Sequence, residues 1–194
     1  WTFSGPTGTN TIVLLNTRSG EIVLTNDATA SSVSTLQLGS ATAGMNFVYS
    51  AGKRLWMASR IKLGTVATTE LFLGFGTSDT SPTGSGTLPS DGLFFHKTNT
   101  GTLINFDARK DGVSTSKTLI GTALVNDTYT IFALYVDPTG NIHLFQDGIE
   151  LSASIIAAGT ANIPGAADVM QFMVGIFTAS MTCTLDWVLV AQEK

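Results

Sequence analysis

The segment from Tyr129 to Leu151, YTIFALYVDPTGNIHLFQDGIEL, constrains the fold of this chain more than any other segment. Its first nine residues are rich in aromatic and β-branched types, which fit a pleated sheet. The residues DPTGN at 137–141 favour a tight turn, because proline presets φ and glycine takes a positive φ without steric cost. The residues after this turn alternate again up to Asp147-Gly148, which marks the next bend. The segment therefore predicts two antiparallel strands joined by a tight turn.

The rest of the chain repeats this pattern of short apolar runs between turns rich in Gly, Thr and Ser. The runs predict strands at 11–15, 21–25, 33–38, 45–49, 54–63, 70–76, 92–96, 102–110, 117–120, 129–137, 141–147, 150–155, 169–177 and 182–191. Helical periodicity is missing from every 11-residue window. Many short strands at even spacing predict an all-β fold, an antiparallel sandwich or barrel. With 194 residues and no linker, we expect one domain over 1–194, with residues 1–10 as a candidate N-terminal arm.

Charged residues are scarce, and this limits the partners of the protein. They make up 12% of the chain, about half of the usual share of roughly 25%. The net charge is −4 and no basic patch occurs, which disfavours nucleic acid as a partner. No apolar run is long enough to cross a membrane, so we expect no membrane contact. A surface built from Thr, Ser, Asn, Gly and Ala repels other molecules weakly, which favours a subunit held in a larger assembly.

Alternation along the strands predicts which side chains form the core. The single cysteine, Cys183, excludes an internal disulfide, and it is in phase with Leu185, Trp187 and Leu189, which predicts a buried thiol. The strand at 129–137 is apolar on both faces, which predicts a central strand covered on both sides. The large side chains that we expect in or beside the core are Trp56, Phe106, Phe132, Leu134 and Trp187.

Catalytic residues are not predicted. A retaining glycosidase needs two carboxylates on either side of one bond, and none of the four glutamates has a carboxylate partner two residues away. The only histidines, His96 and His143, are too few for a zinc site, and no G-x-S-x-G motif occurs. A Ser-His-Asp triad assembled from distant residues stays an alternative.

We expect no bound cofactor or metal, and a calcium ion is the alternative that the sequence leaves open. Several aspartates lie in turns, where a calcium ligand is commonly found: Asp79, Asp91, Asp127 and Asp137. Aspartate is also common in turns for a structural reason, because its carboxylate accepts hydrogen bonds from the backbone of the turn. The chain has no D-x-D-x-D loop.

A glycan site on a sheet face would combine an aromatic ring for stacking with polar groups for hydroxyls. The outward positions that would form such a ligand face, if their strands were neighbours, are Trp56, Arg60, Asn105, Asp107, Arg109 and His143. The alternative is that these side chains simply form the solvated outer surface of a sheet.

The 129–151 hairpin and the closing strand TCTLDWVLVA at 182–191 resemble the late strands of the concanavalin A-like, laminin-G-like jelly roll. In that family a hairpin ending in Y/F-x-D-G precedes a closing strand of the x-D-x-V-x-V-A kind. The resemblance implies an antiparallel two-sheet β-sandwich of jelly-roll type. It does not name a ligand, because the fold serves lectins, glycosidases, adhesion domains and virion proteins.

Residues 52–76, GKRLWMASRIKLGTVATTELFLGFG, are similar to a group of tailed-phage structural proteins with this fold. The resemblance implies a non-enzymatic virion protein on the capsid surface, a decoration or cement protein. Its partner would be the major capsid protein, bound as a homo-oligomer, a trimer or a dimer. Trp1 and Phe3 are the expected capsid contacts, because aromatic residues are favoured at interfaces.

Two alternatives remain from the sequence. One is a carbohydrate-binding module or a lectin-type adhesin head, and the other is an unusual hydrolase.

Overall fold

The computed structural model describes residues 2–4, 10–15, 20–28, 33–38, 46–77 and 88–194. Its strands are β1 (Thr2–Ser4), β2 (Thr11–Leu14), β3 (Ile22–Thr25), β4 (Val33–Gln37), β5 (Leu55–Leu63), β6 (Glu70–Thr77), β7 (Gly92–Lys97), β8 (Ile104–Lys110), β9 (Val113–Ile120), β10 (Tyr129–Val136), β11 (Ile142–Gln146), β12 (Ile149–Glu150), β13 (Met170–Phe177) and β14 (Thr182–Gln192). The helical part of the described ranges is one 3₁₀ turn at Ser152–Ser154.

The strands form two antiparallel sheets, which confirms the predicted two-sheet sandwich. Sheet A has the order β1-β4-β13-β6-β7-β8-β9, and sheet B has the order β12-β11-β10-β5-β14-β3-β2. The predicted hairpin is β10 and β11, joined by the turn at 137–141. Two predicted strands are shorter than expected. Within 46–49 only Phe47 forms a bridge, and the segment at 150–155 becomes the end of β12 followed by the 3₁₀ turn.

The inward faces of the two sheets share one aromatic and aliphatic core. Phe95 of β7 packs against Phe106 at 5.1 Å between ring centroids and against Phe132 of the opposite sheet at 5.2 Å. Phe106, Phe132 and Leu134 are buried, as predicted. Cys183 is also buried, and burial raises the pKa of its thiol to about 12. Large rings that meet across the sheets therefore hold the sandwich together.

The prediction that Trp187 lies in or beside the core is wrong, because β14 contains a bulge. The register of β14 against β5 shifts between Leu185 and Trp187. A bulge adds one residue to a strand and reverses the alternation beyond it. Leu185 therefore points inward, whereas Trp187 and Leu189 point outward with 39% and 59% of their surface exposed. Trp56 is half-buried on the same outer face.

The two sheets differ in how their outer faces are covered. On the outer face of sheet A, a second apolar cluster is buried: Val33, Phe72, Phe94, Met173 and Phe177, with Leu88 packed against it. The outer face of sheet B is instead half-exposed along β5 and β10. The expectation that the 129–137 strand is covered on both sides is therefore wrong. This leaves sheet B with an accessible apolar surface.

The candidate N-terminal arm is partly a strand of the sandwich. Residues 2–4 pair with β4 at the edge of sheet A, with Phe3 opposite Leu36. Trp1 lies outside the described residues. Residues 2–4 therefore belong to the edge of sheet A.

We expect Phe132→Ala to lower the free energy of unfolding by about 3–5 kcal/mol, because it leaves a cavity between the sheets. Urea denaturation of the wild type and the variant measures this difference. Leu189→Ala is the control, since truncation of an exposed side chain changes stability by only about 0.5 kcal/mol. Equal effects of the two substitutions would contradict the assignment of the strand faces.

Candidate functional site

A row of three rings crosses the outer face of sheet B. Trp56 of β5 pairs in register with Tyr135 of β10, which pairs with His143 of β11. The rings of Trp56 and Tyr135 are stacked, with centroids 5.7 Å apart and planes 19° from parallel. The rings of Tyr135 and His143 are 5.8 Å apart. Because the row runs across adjacent strands, the pairing of the strands sets the spacing of the rings.

The next row of the same face has small side chains at its centre. Ala58 and Ala133 are directly paired, with Leu189 and Phe145 at the two ends of the row. These small side chains form the floor of a groove beside the rings, with a volume of about 550 Å³. We call it the aromatic groove, and its side chains are Trp56, Ala58, Ala133, Tyr135, Phe145, Leu189 and Ala191. Its volume lies in the range of small-molecule sites, which is about 300–1,000 Å³.

Arg60 occupies the other side of the small row and is held in place by two neighbours. Its guanidinium bonds to Asp186, which lies at the bulge of β14. The guanidinium carbon also lies 3.9 Å from the centre of the Tyr129 ring, a cation–π contact. Burial and a hydrogen bond to Glu21 raise the pKa of Tyr129 to about 12, so this phenol stays neutral. Arg60 is therefore a fixed cation at the rim of the aromatic groove.

His143 lies between two carboxylates at the end of the ring row. Its Nδ1 is 2.6 Å from Oε1 of Glu150, and its Nε2 is 3.2 Å from Oδ2 of Asp137. A neutral imidazole has one N–H and can donate to only one of these oxygens. The hydrogen bond to Glu150 and the contact with Asp137 therefore raise the pKa of His143, against the opposite effect of burial.

The turn before His143 explains why Asp137 is charged. Oδ1 of Asp137 accepts from the backbone N–H groups of Thr139 at 2.8 Å and Asn141 at 3.0 Å. The Thr139 hydroxyl, His143 and Asn141 together lower the pKa of Asp137. Gly140 has φ +91°, which suits this tight turn because glycine has no Cβ. The turn thus fixes a carboxylate beside the histidine.

The predicted ligand face does not form one surface, because its residues belong to different sheets. Trp56, Arg60 and His143 lie on the outer face of sheet B. The other three residues are on β8 in sheet A: Asn105, Asp107 and Arg109. The condition that their strands are neighbours is therefore not met.

The β8 residues form a separate polar cluster with His96. Nδ1 of His96 is 2.9 Å from Oδ2 of Asp107, an ion-pair distance without the alignment of a good hydrogen bond. Ser116 donates to the other oxygen of Asp107. Burial alone would raise the pKa of Asp107, but the contacts with His96 and Ser116 lower it. In a catalytic Ser-His-Asp triad the serine hydroxyl bonds to the histidine. Here Ser116 bonds to the carboxylate of Asp107 and not to the imidazole of His96, so these three residues do not form a triad.

Two of the aspartates considered for calcium, Asp91 and Asp137, bond to the protein. Oδ1 of Asp91 accepts from the Asp111 N–H at 2.9 Å, and Asp137 bonds to its own turn. Asp127 has a positive φ of 54° in its turn, and Asp79 lies outside the described residues. Within the described ranges, no three His, Cys, Asp or Glu side chains lie close enough to hold a metal ion. In those same ranges, no helix has the length and apolarity needed to span a membrane.

The sequence prediction missed most of the aromatic groove. The sequence predicts that Tyr135 lies in a covered strand and that Leu189 is in phase with the buried Cys183. It indicates no role for Phe145, Ala58 or Ala133. The available signal was the alternation of small and aromatic residues on one face, Ala133 beside Tyr135 and Ala58 beside Trp56. That signal becomes visible only when the strands are known to be neighbours.

The comparisons with known proteins identify the fold. Neither the protein-family models nor the curated proteins gave a match to this sequence. Among solved structures, peanut lectin is similar with a TM-score of 0.58 and 13% identity, over 100% of this chain and 92% of the lectin. A carbohydrate-binding module from Bacillus subtilis has a TM-score of 0.58 and 11% identity, over 99% and 95% of the two chains. An endo-1,3-beta-glucanase from Streptomyces sioyaensis has a TM-score of 0.61 and 11% identity, over 89% and 76%.

These likenesses, at identities this low, concern the fold alone. The chain has the concanavalin A-like jelly roll that binding proteins and enzymes share.

We expect His143 to make the stability of the protein depend on pH. Its folded-state pKa is raised above its ordinary value of about 6.5. The contribution of His143 is therefore fully present below that value and is lost as pH rises through the folded-state pKa. Urea midpoints from about pH 5.5 to about pH 9 measure the decline, which H143Q should reduce. An unchanged decline in H143Q would contradict the assignment of this pH dependence to His143.

Proposed function

We infer that this protein binds carbohydrate without cleaving it, and that the aromatic groove is its binding site. The observation that carries this proposal is the row of rings beside a floor of alanines on an open sheet face. A sugar ring has an apolar C–H face that packs on an aromatic ring, while its hydroxyls point sideways to polar groups.

The groove and the residues beside it offer both kinds of contact. Trp56, Tyr135 and Phe145 provide apolar surface, and Arg60 and His143 lie beside the groove on the same sheet face, each paired with a carboxylate. Aromatic residues bury large area at a small entropic cost, which makes them strong anchors for a ligand. The similarity to a lectin and a carbohydrate-binding module supports this reading of the face.

The carboxylates around the groove favour binding over hydrolysis. A glycosidase needs a general acid with a raised pKa next to a second carboxylate. Asp137 and Glu150 are both engaged by His143, and the pKa of Asp137 is lowered, the opposite of what a general acid requires. Asp186 is paired with Arg60. The similarity to a glucanase keeps hydrolysis as a measurable alternative.

The role on a phage capsid stays a second prediction. Low charge and exposed apolar side chains such as Leu14 and Trp187 would suit a protein that packs on a lattice. The similar solved structures include lectins, glucanases and a carbohydrate-binding module, and they give this role no support. The capsid partner, the dimer or trimer, the virion location and the contacts of Trp1 and Phe3 are all predictions that cryo-EM of the intact particle would test.

We expect the wild type to bind glycans on an array, and Trp56→Ala or Tyr135→Ala to weaken that binding at least about tenfold. Truncating a central aromatic anchor commonly costs more than the roughly 1.4 kcal/mol that corresponds to tenfold. Isothermal titration calorimetry with the best glycan of the array measures the change.

Asn105→Ala is the matched control, since Asn105 belongs to the predicted ligand face but lies on sheet A. It should bind as the wild type does. A wild type that binds no glycan, or a loss in N105A equal to that in W56A, would contradict the proposal. Release of reducing sugars from the bound glycan would instead establish an enzyme.

A further inference from the structure

A second cavity adjoins the aromatic groove at the end of β14. One side is formed by residues 46–48 with Ser50 and Lys53, and the other side by residues 190–194, around a volume of about 530 Å³. We call it the β14 cavity. Ala191 lines both the β14 cavity and the aromatic groove. Since its side chain is a methyl group, residue 191 places no bulky barrier between the two spaces.

Gln192 links the two sides of this cavity. The Val48 N–H donates to Oε1 of Gln192 at 3.1 Å, and Nε2 of Gln192 donates to the Val48 carbonyl at 2.6 Å. Phe47 pairs with Met170 of β13 in sheet A, whereas Gln192 belongs to β14 in sheet B. The glutamine side chain therefore bridges the two sheets and satisfies both backbone groups of Val48. This contact fixes the position of one side of the cavity relative to the other.

The polar groups of the β14 cavity differ from those of the groove. They comprise an amide, a hydroxyl, an ammonium group and a carboxylate, from Asn46, Ser50, Lys53 and Glu193. Glu193 is 3.5 Å from Arg54, and the Lys53 ammonium contacts the Lys194 carbonyl oxygen. Charges of both signs lie together, so the cavity does not select an ion of one sign. Mixed donors and acceptors suit a ligand that carries many uncharged hydroxyls.

We propose that the ligand is a linear neutral oligosaccharide that spans both spaces, with one part on the rings of Trp56 and Tyr135 and another part past Ala191 in the β14 cavity. This inference rests on the proposed function, because it extends the same site. The apolar groove fits the faces of the sugar rings, and the polar cavity fits their hydroxyls. A single sugar unit would fill only one of the two spaces.

The experiment is calorimetric titration of cello-, laminari- and manno-oligosaccharides, from the disaccharide to the octasaccharide. We expect the affinity of the wild type to rise about tenfold or more once the chain is long enough to enter the β14 cavity, since two or more added hydrogen bonds give a gain of that order. The variant N46A/K53A should lose this gain and keep the affinity for the short chains. A191W, which fills the junction with an exposed side chain, should also lose the gain.

Lys117→Ala on β9 removes a cation from sheet A and is the matched control, which should keep the gain. An affinity that does not change with chain length, or a full gain in N46A/K53A, would overturn this inference and leave binding in the groove intact. Absence of binding to every series at every length would contradict the proposed function as well.

Discussion

The alternation of side chains along β5 is the constraint on which both the core and the candidate site depend. Its inward residues, Leu55, Met57, Ile61 and Leu63, are buried between the sheets. Its outward residues include Trp56, Ala58 and Arg60, which supply a ring, the floor and the rim of the aromatic groove. Because β5 lies between β10 and β14, its register also places Tyr135 and Leu189. A shift of one residue would exchange the core with the site.

The outer faces of the two sheets differ in how far they are exposed to solvent. Sheet A is buried on both faces over much of its length, so β13 has no exposed residue. Its polar cluster around Asp107 satisfies a buried carboxylate with His96 and Ser116. Sheet B has its apolar outer face in contact with solvent. An open apolar face of this kind commonly marks a binding surface.

Local chemistry explains what could be predicted from the sequence. The DPTGN turn determines the β10–β11 hairpin, because Asp137 bonds to the residues that follow it. The faces of β5 and β8 follow from strict alternation, as the burial of Leu55, Met57 and Phe106 confirms. Each of these features depends on residues a few positions apart, which a sequence displays directly.

Long-range pairing explains what could not be predicted. In the sequence, Asn105 and Trp56 both occupy outward positions of a predicted strand, so they look like candidates for one ligand face. In the structure, β8 and β5 belong to different sheets. Whether Tyr135 is covered depends on whether another layer packs above β10, which alternation does not reveal. The groove requires Ala58 and Ala133 to be neighbours, although 74 intervening residues separate them in the sequence.

The bulge in β14 has a consequence for how such a surface can evolve. One extra residue between Leu185 and Trp187 turns the rest of the strand around, so that Trp187, Leu189 and Ala191 point outward while Val188 and Val190 pack toward the core. Asp186 and Trp187 together advance the strand by one position on β5, so deleting Asp186 would leave Trp187 opposite Arg60 and every later residue on its present face. Related proteins with the same sandwich could therefore gain or lose one codon at this position and keep both the core and the apolar outer face.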